Sequence, residues 1–268
     1  MSTTTITTVQ QRGLTRVADA AHDAVAVAWR NLITLRRVPQ LLIFSTIQPV
    51  VFVLLFRYAF GGAISSPGVR YVDFLMPGIF VQTAVFGAMG AAIGLASDLN
   101  TGLLERFRSL PMARSAVLSG RTLADLVRNV FVATLMAGVG FAVGFRVHTG
   151  ATAFVAGMLL VLLFGYVLSW VFATVGLAVG DPETAQAASF PVLAPLVFAS
   201  SVFVPVETMP GWLQTFAANQ PVSVTADAVR ALMLGGPTTA HVIQSLAWSA
   251  GILAVFAPLA VRLYRRAA

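Results

Sequence analysis

Six runs of about 20 apolar residues, separated by loops that hold most of the arginines, leave a chain like this little choice of solvent. A helix of that length crosses a hydrocarbon core ~30 Å thick. Lipid offers backbone N–H and C=O groups no partners, so each run must satisfy its own as a helix. The 268 residues are 57% hydrophobic and 10% charged, where a soluble domain carries about 25% charged residues. An all-α integral membrane protein follows.

The spans read as 41–60, 74–97, 124–145, 153–179, 184–204 and 242–261. Gln48 and Pro49 predict a kink in the first, and Arg57 lies near enough to its far end to snorkel. The sequence Asp181-Pro182-Glu183 is a helix-start signal, with an acid to cap, Pro at the first helical position and an acid in the first turn. Pro191 and Pro195 are expected to break the fifth span. Residues 1–15 read as a disordered tail rich in Ser, Thr and Gln, ahead of a transmembrane domain over 16–268. Residues 16–38 place Val17, Ala21, Ala24, Ala28, Leu32 and Leu35 on one helical face, with Asp19, Asp23 and Arg30 on the other. That pattern predicts an amphipathic helix lying along the membrane surface and carrying Trp29, Arg30, Arg36 and Arg37. Residues 1–40 are too long and too charged for a signal-peptide n-region, so no cleaved signal is expected.

All 17 basic residues are arginine. With the N-terminus inside, thirteen fall on cytoplasmic segments and four (Arg57, Arg70, Arg146, Arg230) outside or near it. Positive-inside bias therefore selects cytoplasmic N- and C-termini. The arginines flank apolar spans, which fits a bilayer and not nucleic acid.

Several functions are disfavoured by what is missing. The acids all fall at span ends or in loops, Asp125 among them, and the mid-depth polar groups are the neutral Gln48, Gln82 and Thr83. A proton-coupled carrier usually needs an intramembrane carboxylate or His, so an ion-coupled secondary transporter or channel is the alternative reading. His22, His148 and His241 lie outside the spans, and the chain has no Cys. Metal ligation and thiol chemistry are therefore not expected. Ser119-Gly120 follows Val117-Leu118 and so lacks the GxSxG elbow, which weighs against an intramembrane enzyme. A phosphate-binding Walker loop requires Lys, and this chain has none. Any ATP-driven work needs a partner.

Between the second and third spans, Leu103, Leu104, Phe107 and Leu110 share a helical face, while Glu105, Arg106, Arg108 and Ser109 occupy the rest and Pro111 stops the helix. This short amphipathic helix reads equally as a knob for a soluble partner and as a loop resting on lipid headgroups. The stretch GLLERFRSLPMARSAVLSGR resembles the signature of ABC-2 type transporter permeases, especially their daunorubicin-resistance branch. The matching positions are Gly102, Glu105, Arg106, Leu110, Pro111, Arg114, Gly120 and Arg121. A second similar block is Asn219-Gln220-Pro221-Val222 with Ala228 to Leu232 and Gly235-Gly236-Pro237. Gln220 separates what is more commonly an Asn-Pro pair, a departure expected to affect little.

The resemblance runs from about residue 25 to the end and implies the permease half of a drug exporter in the plasma membrane. It implies two six-span subunits, identical or paralogous, on two cytosolic ATPase subunits that bind the ATP and magnesium; this chain binds no cofactor itself. It further implies that Gly102, Leu104, Glu105, Arg106, Phe107, Arg108, Leu110, Pro111 and Arg114 couple to the ATPase. Residues 207–235 would be short external helices with Trp212 and Phe216 at the outer interface. The translocation path is expected at Gln48, Gln82, Thr83 and Phe86, and the small residues Gly87, Ala88, Gly90, Ala91 and Gly94 would allow close helix approach.

Overall fold

The computed structural model describes residues 39–62, 64, 68–101 and 114–267, with side chains from 46 in the first helix and from 125 in the third. The expected tail, the surface helix with Trp29, Arg30, Arg36 and Arg37, and the coupling stretch from Gly102 to Pro111 all lie outside the described residues. Arg114 opens a helix there, but its side chain is not among those described.

Among the described residues the chain is helical throughout, with no strand. Helix α1 (Pro39–Leu54) runs on into a π-helical stretch, Leu55–Phe60. It is followed by α2 (Tyr71–Asn100), α3 (Arg114–Ala142), α4 (Ala151–Val179) and α5 (Pro182–Phe198). A single 3₁₀ turn, Val206–Thr208, leads to α6 (Gly211–Asn219), α7 (Pro221–Leu234) and α8 (Thr238–Ala267). Among the described residues, four helices are long and apolar enough to span a bilayer: α2, α3 from Asp125, α4 and α8. The first expected span is a shorter apolar helix over the described side chains, Thr46–Phe60. The fifth is α5, 17 residues long.

Helix α2 is the centre of the molecule. It packs on α1, α3, α4, α5 and α7, and 61% of its apolar window is buried against 11% for α8. Hydrophobic attraction between helices is weak in lipid, so close van der Waals contact between small residues must hold such a bundle. The closest approaches fit that rule. A Cβ on Gly176 of α4 would strike the carbonyl of Ala92, and one on Gly78 of α2 would strike the backbone of Val202. Phe80, Phe164, Phe172, Leu75, Ile79 and Met136 are fully buried around α2. A smaller cluster, Leu95, Trp170, Leu177 and Tyr264, ties α4 to α8 at the opposite end of α2 from Tyr71.

The Asp181 signal works as read. Its Oδ2 accepts from the Thr184 backbone N–H at 2.8 Å and from the Thr184 hydroxyl at 2.7 Å, with Pro182 at the first helical position. These bonds hold the Asp181 carboxyl below the usual carboxylate range. The expectation that Pro191 and Pro195 break the fifth span is corrected: α5 runs through both and ends at Phe198. Each proline removes one N–H from the ladder, and the helix keeps the rest because Ser189 and Leu193 pack it inward. The first span likewise continues through Pro49, which lies inside α1.

Past α5 the chain folds back over the Tyr71 end of α2. Phe203 stacks on Phe56 with ring centroids 4.3 Å apart and contacts Phe52 and Phe198, tying α1 to the end of α5. The buried Gln220 donates from Nε2 to the carbonyls of Leu196 (2.8 Å) and Ala199 (3.1 Å). It therefore satisfies the C-terminal carbonyls that α5 leaves open. The expectation that this residue affects little is corrected, because its amide fastens α6 and α7 to α5.

Candidate functional site: a polar cleft between three helices

Gln48, Gln82, Thr83 and Phe86, singled out from sequence, line one cleft of about 220 Å³ between α1, α2 and α3. Gln82 and Phe86 are one turn apart on α2, so helical periodicity sets them on the same face. Gln48 is exposed on α1 beside the buried Pro49, and Thr83 bonds back to the Ile79 carbonyl at 2.7 Å. Met89 and Ile93 extend the apolar wall of α2, and Val132 adds to it from α3.

Sequence reading missed the other polar half of this cleft, Arg128 and Asn129 of α3. Arg128 counts there as a loop arginine and Asp125 as a span-end acid. In the structure α3 begins at Arg114, so both sit well inside it and face the middle of α2. Arg128 Nη2 donates to the Gly87 carbonyl at 2.7 Å and lies 3.2 Å from Asp125 Oδ1. Only 20% and 13% of the two side chains is exposed. A charged pair thus joins the neutral groups expected at this level. The signal available was the i, i+3 spacing of Asp125 and Arg128, which lets the two charges meet on one helical face.

The glycines of α2 explain how a guanidinium fits there. A Cβ on Gly90 would lie 2.7 and 2.9 Å from the Arg128 guanidinium nitrogens, and one on Gly87 would strike the Asn129 amide. Ala88 and Ala91 are buried. Among these small residues, Gly87 and Gly90 make room for α3 side chains within the chain.

At the Tyr71 end, the second sequence block builds a polar knot around a cavity of about 340 Å³. The Arg230 guanidinium lies 3.8 Å from the Phe74 ring centroid, and its Nε donates to the Phe74 carbonyl at 3.1 Å. Its Nη2 donates to the Ser201 carbonyl at 2.9 Å, and it pairs with Asp227, which also accepts from Ser201 Oγ at 2.8 Å. One planar fork thereby joins α7, α2 and the strap after α5, a task for which Lys lacks the geometry. Nearby, Asp73 is fully buried. It accepts from Arg70 Nε at 2.8 Å and from the Arg146 backbone N–H at 2.9 Å. Trp212, on α6, is 79% exposed. Among the described residues, no group of His, Cys, Asp and Glu could hold a metal ion.

The ABC-2 type transporter family matches residues 23–234. The chain is 38% identical over 248 residues to the daunorubicin resistance ABC transporter permease protein DrrB1 of Streptomyces coeruleorubidus, covering 92% of this chain and 88% of that protein. It is 34% identical over 194 residues to the probable doxorubicin resistance ABC transporter permease protein DrrC of Mycobacterium tuberculosis, covering 72% of this chain and 70% of that protein. A putative transport permease, ycf38 of Cyanophora paradoxa, is 28% identical over 209 residues, or 76% of this chain and 71% of that protein.

Proposed function

Because the chain belongs to the ABC-2 type transporter family, we propose that it is the membrane subunit of an ATP-driven exporter of hydrophobic or amphipathic compounds. The observation that carries this reading is the match along most of its length to permeases named for daunorubicin and doxorubicin resistance. The hydrolysis is assigned to a separate cytosolic ATPase present in two copies, since this chain has no Lys for a phosphate loop. A second permease, identical or paralogous, completes the assembly, with both termini cytoplasmic in the plasma membrane.

Power would enter between α2 and α3. Leu104, Phe107 and Leu110 would fill an apolar notch on the ATPase, while Glu105, Arg106 and Arg108 set register by charge. Movement of that segment would act directly on the two helices that, with α1, form the polar cleft. The cleft has apolar walls with a few fixed polar groups, the usual make-up of a small-molecule site. Its volume is below the ~300–1,000 Å³ of most such sites, as suits a path that a second subunit completes. The Asp125–Arg128 pair neutralises itself, so it does not revive the ion-coupled reading.

The test is copurification with a candidate cytosolic ABC ATPase from the same organism, together with ATP-dependent efflux in proteoliposomes. Phe107→Asp with Glu105→Arg should lose both the bound ATPase and the efflux. Binding and efflux that survive the double substitution would refute the coupling assignment. Efflux that needs an ion gradient and no ATPase would establish the secondary-carrier reading instead.

A further inference from the structure

The cleft between α1, α2 and α3 contains a buried acceptor with nothing to bond. Gln82 is 1% exposed and lines the cleft, and its Oε1 is buried with no hydrogen-bond partner. Two of the polar groups that line the cleft beside it, Thr83 and Arg128, have other bonds. The Thr83 hydroxyl proton is given to the Ile79 carbonyl, and Arg128 is drawn to the Gly87 carbonyl and to Asp125. Phe86, Met89, Ile93 and Val132 supply an apolar surround. A buried acceptor left without a partner is unfavourable. A site built around one favours ligands that can pair with it over those that cannot.

We infer that this cleft binds a compact, mostly apolar, uncharged molecule bearing an N–H or O–H donor, and that Gln82 is the residue that reads the donor. The absence of net charge follows from the pair on α3: Arg128 is matched by Asp125 three residues earlier, so the site holds no unbalanced charge for an ion. Gly87 and Gly90 act one step back, since any Cβ there would displace Asn129 or Arg128 from the cleft wall. The inference rests on the reading of this cleft as part of the cargo path and specifies what that path selects.

The experiment uses the full-length chain in lipid nanodiscs without ATP or ATPase. The probe is N-phenyl-1-naphthylamine, a neutral fluorophore whose two aromatic groups are joined by one N–H, compared with its N-methyl derivative. Binding is read as saturable energy transfer from the protein's tryptophans. The wild-type chain should bind the N–H probe about five- to tenfold more tightly than the N-methyl probe, the size of one net hydrogen bond. Gln82→Leu should erase that preference by weakening the N–H probe alone. Gln82→Met, closer in length to glutamine, should do the same and carries the test if the Leu variant does not purify as a monodisperse species. Equal weakening of both probes would mark Gln82 as a packing residue and overturn the inference. So would a wild-type chain with no preference, or with no saturable binding of the N–H probe. ATP-driven efflux in matched proteoliposomes separates the two readings: export that persists without donor preference removes only the role of Gln82.

Discussion

Single side chains in this protein hold helix ends that lipid cannot. Asp181 caps α5 through Thr184, and the same bonds depress its carboxyl. A carboxyl lowered on folding stabilises the native state above its unfolded value near 3.9 and loses that contribution as pH falls through the lower native value. Asp181→Ala should therefore melt below wild type at neutral pH, with the gap closing as the pH falls below about 4. Detergent-solubilised thermal melts across that range would check it; a gap of constant size would contradict the cap. Gln220 acts at the other end of the same helix. Gln220→Ala leaves the Leu196 and Ala199 carbonyls without that amide and should lower stability by about 1–3 kcal/mol. Its role was hidden in the sequence because its partners are carbonyls 21 and 24 residues earlier, whereas the Asp181 cap closes over three.

At the scale of helices, the bundle depends on where backbones touch. Gly176 meets the Ala92 carbonyl across the α2–α4 crossing, while Gly251 of α8 has open space around it. Gly176→Ala should destabilise the chain by about 1–3 kcal/mol through overpacking, and Gly251→Ala should leave stability unchanged or slightly raised. Matched melting curves of the two variants test this, and equal effects would refute the crossing as drawn. Small residues on α2 were visible in the sequence. Their partners were not, because a glycine against a guanidinium and a glycine against a carbonyl look alike in one dimension. Prolines 191 and 195 misled for a related reason. Propensity predicts a break, but α5 runs on through both prolines, with Leu193 and Val197 buried against the rest of the bundle.

For the molecule as a whole, the arrangement of arginines argues for cytoplasmic termini, and moving Arg128 from a loop into α3 does not change the majority. A reporter fused after Gly150, between α3 and α4, should read external in whole cells, and a cytoplasmic reading would invert the topology. Arg230 is the strongest test of the end that would then face outward. Arg230→Lys keeps the charge but cannot reproduce the fork to Phe74, Ser201 and Asp227. It should cost about 2 kcal/mol or more in stability, read by denaturation of the purified chain.

The apolar runs alone determined the solvent, the helical class and the approximate place of each long helix, because backbone satisfaction in lipid is a local demand met within one segment. The local cap at Asp181 and the family signature were legible for the same reason: their residues are close in sequence. Only the tertiary structure decided which helices form the cleft. It brought Arg128 against Gly87, 41 residues away, and left the Gln82 Oε1 buried without a hydrogen-bond partner. Contacts of that kind depend on the depth and rotation at which two separate helices pack. Periodicity within either helix specifies its apolar face but not its register against the other.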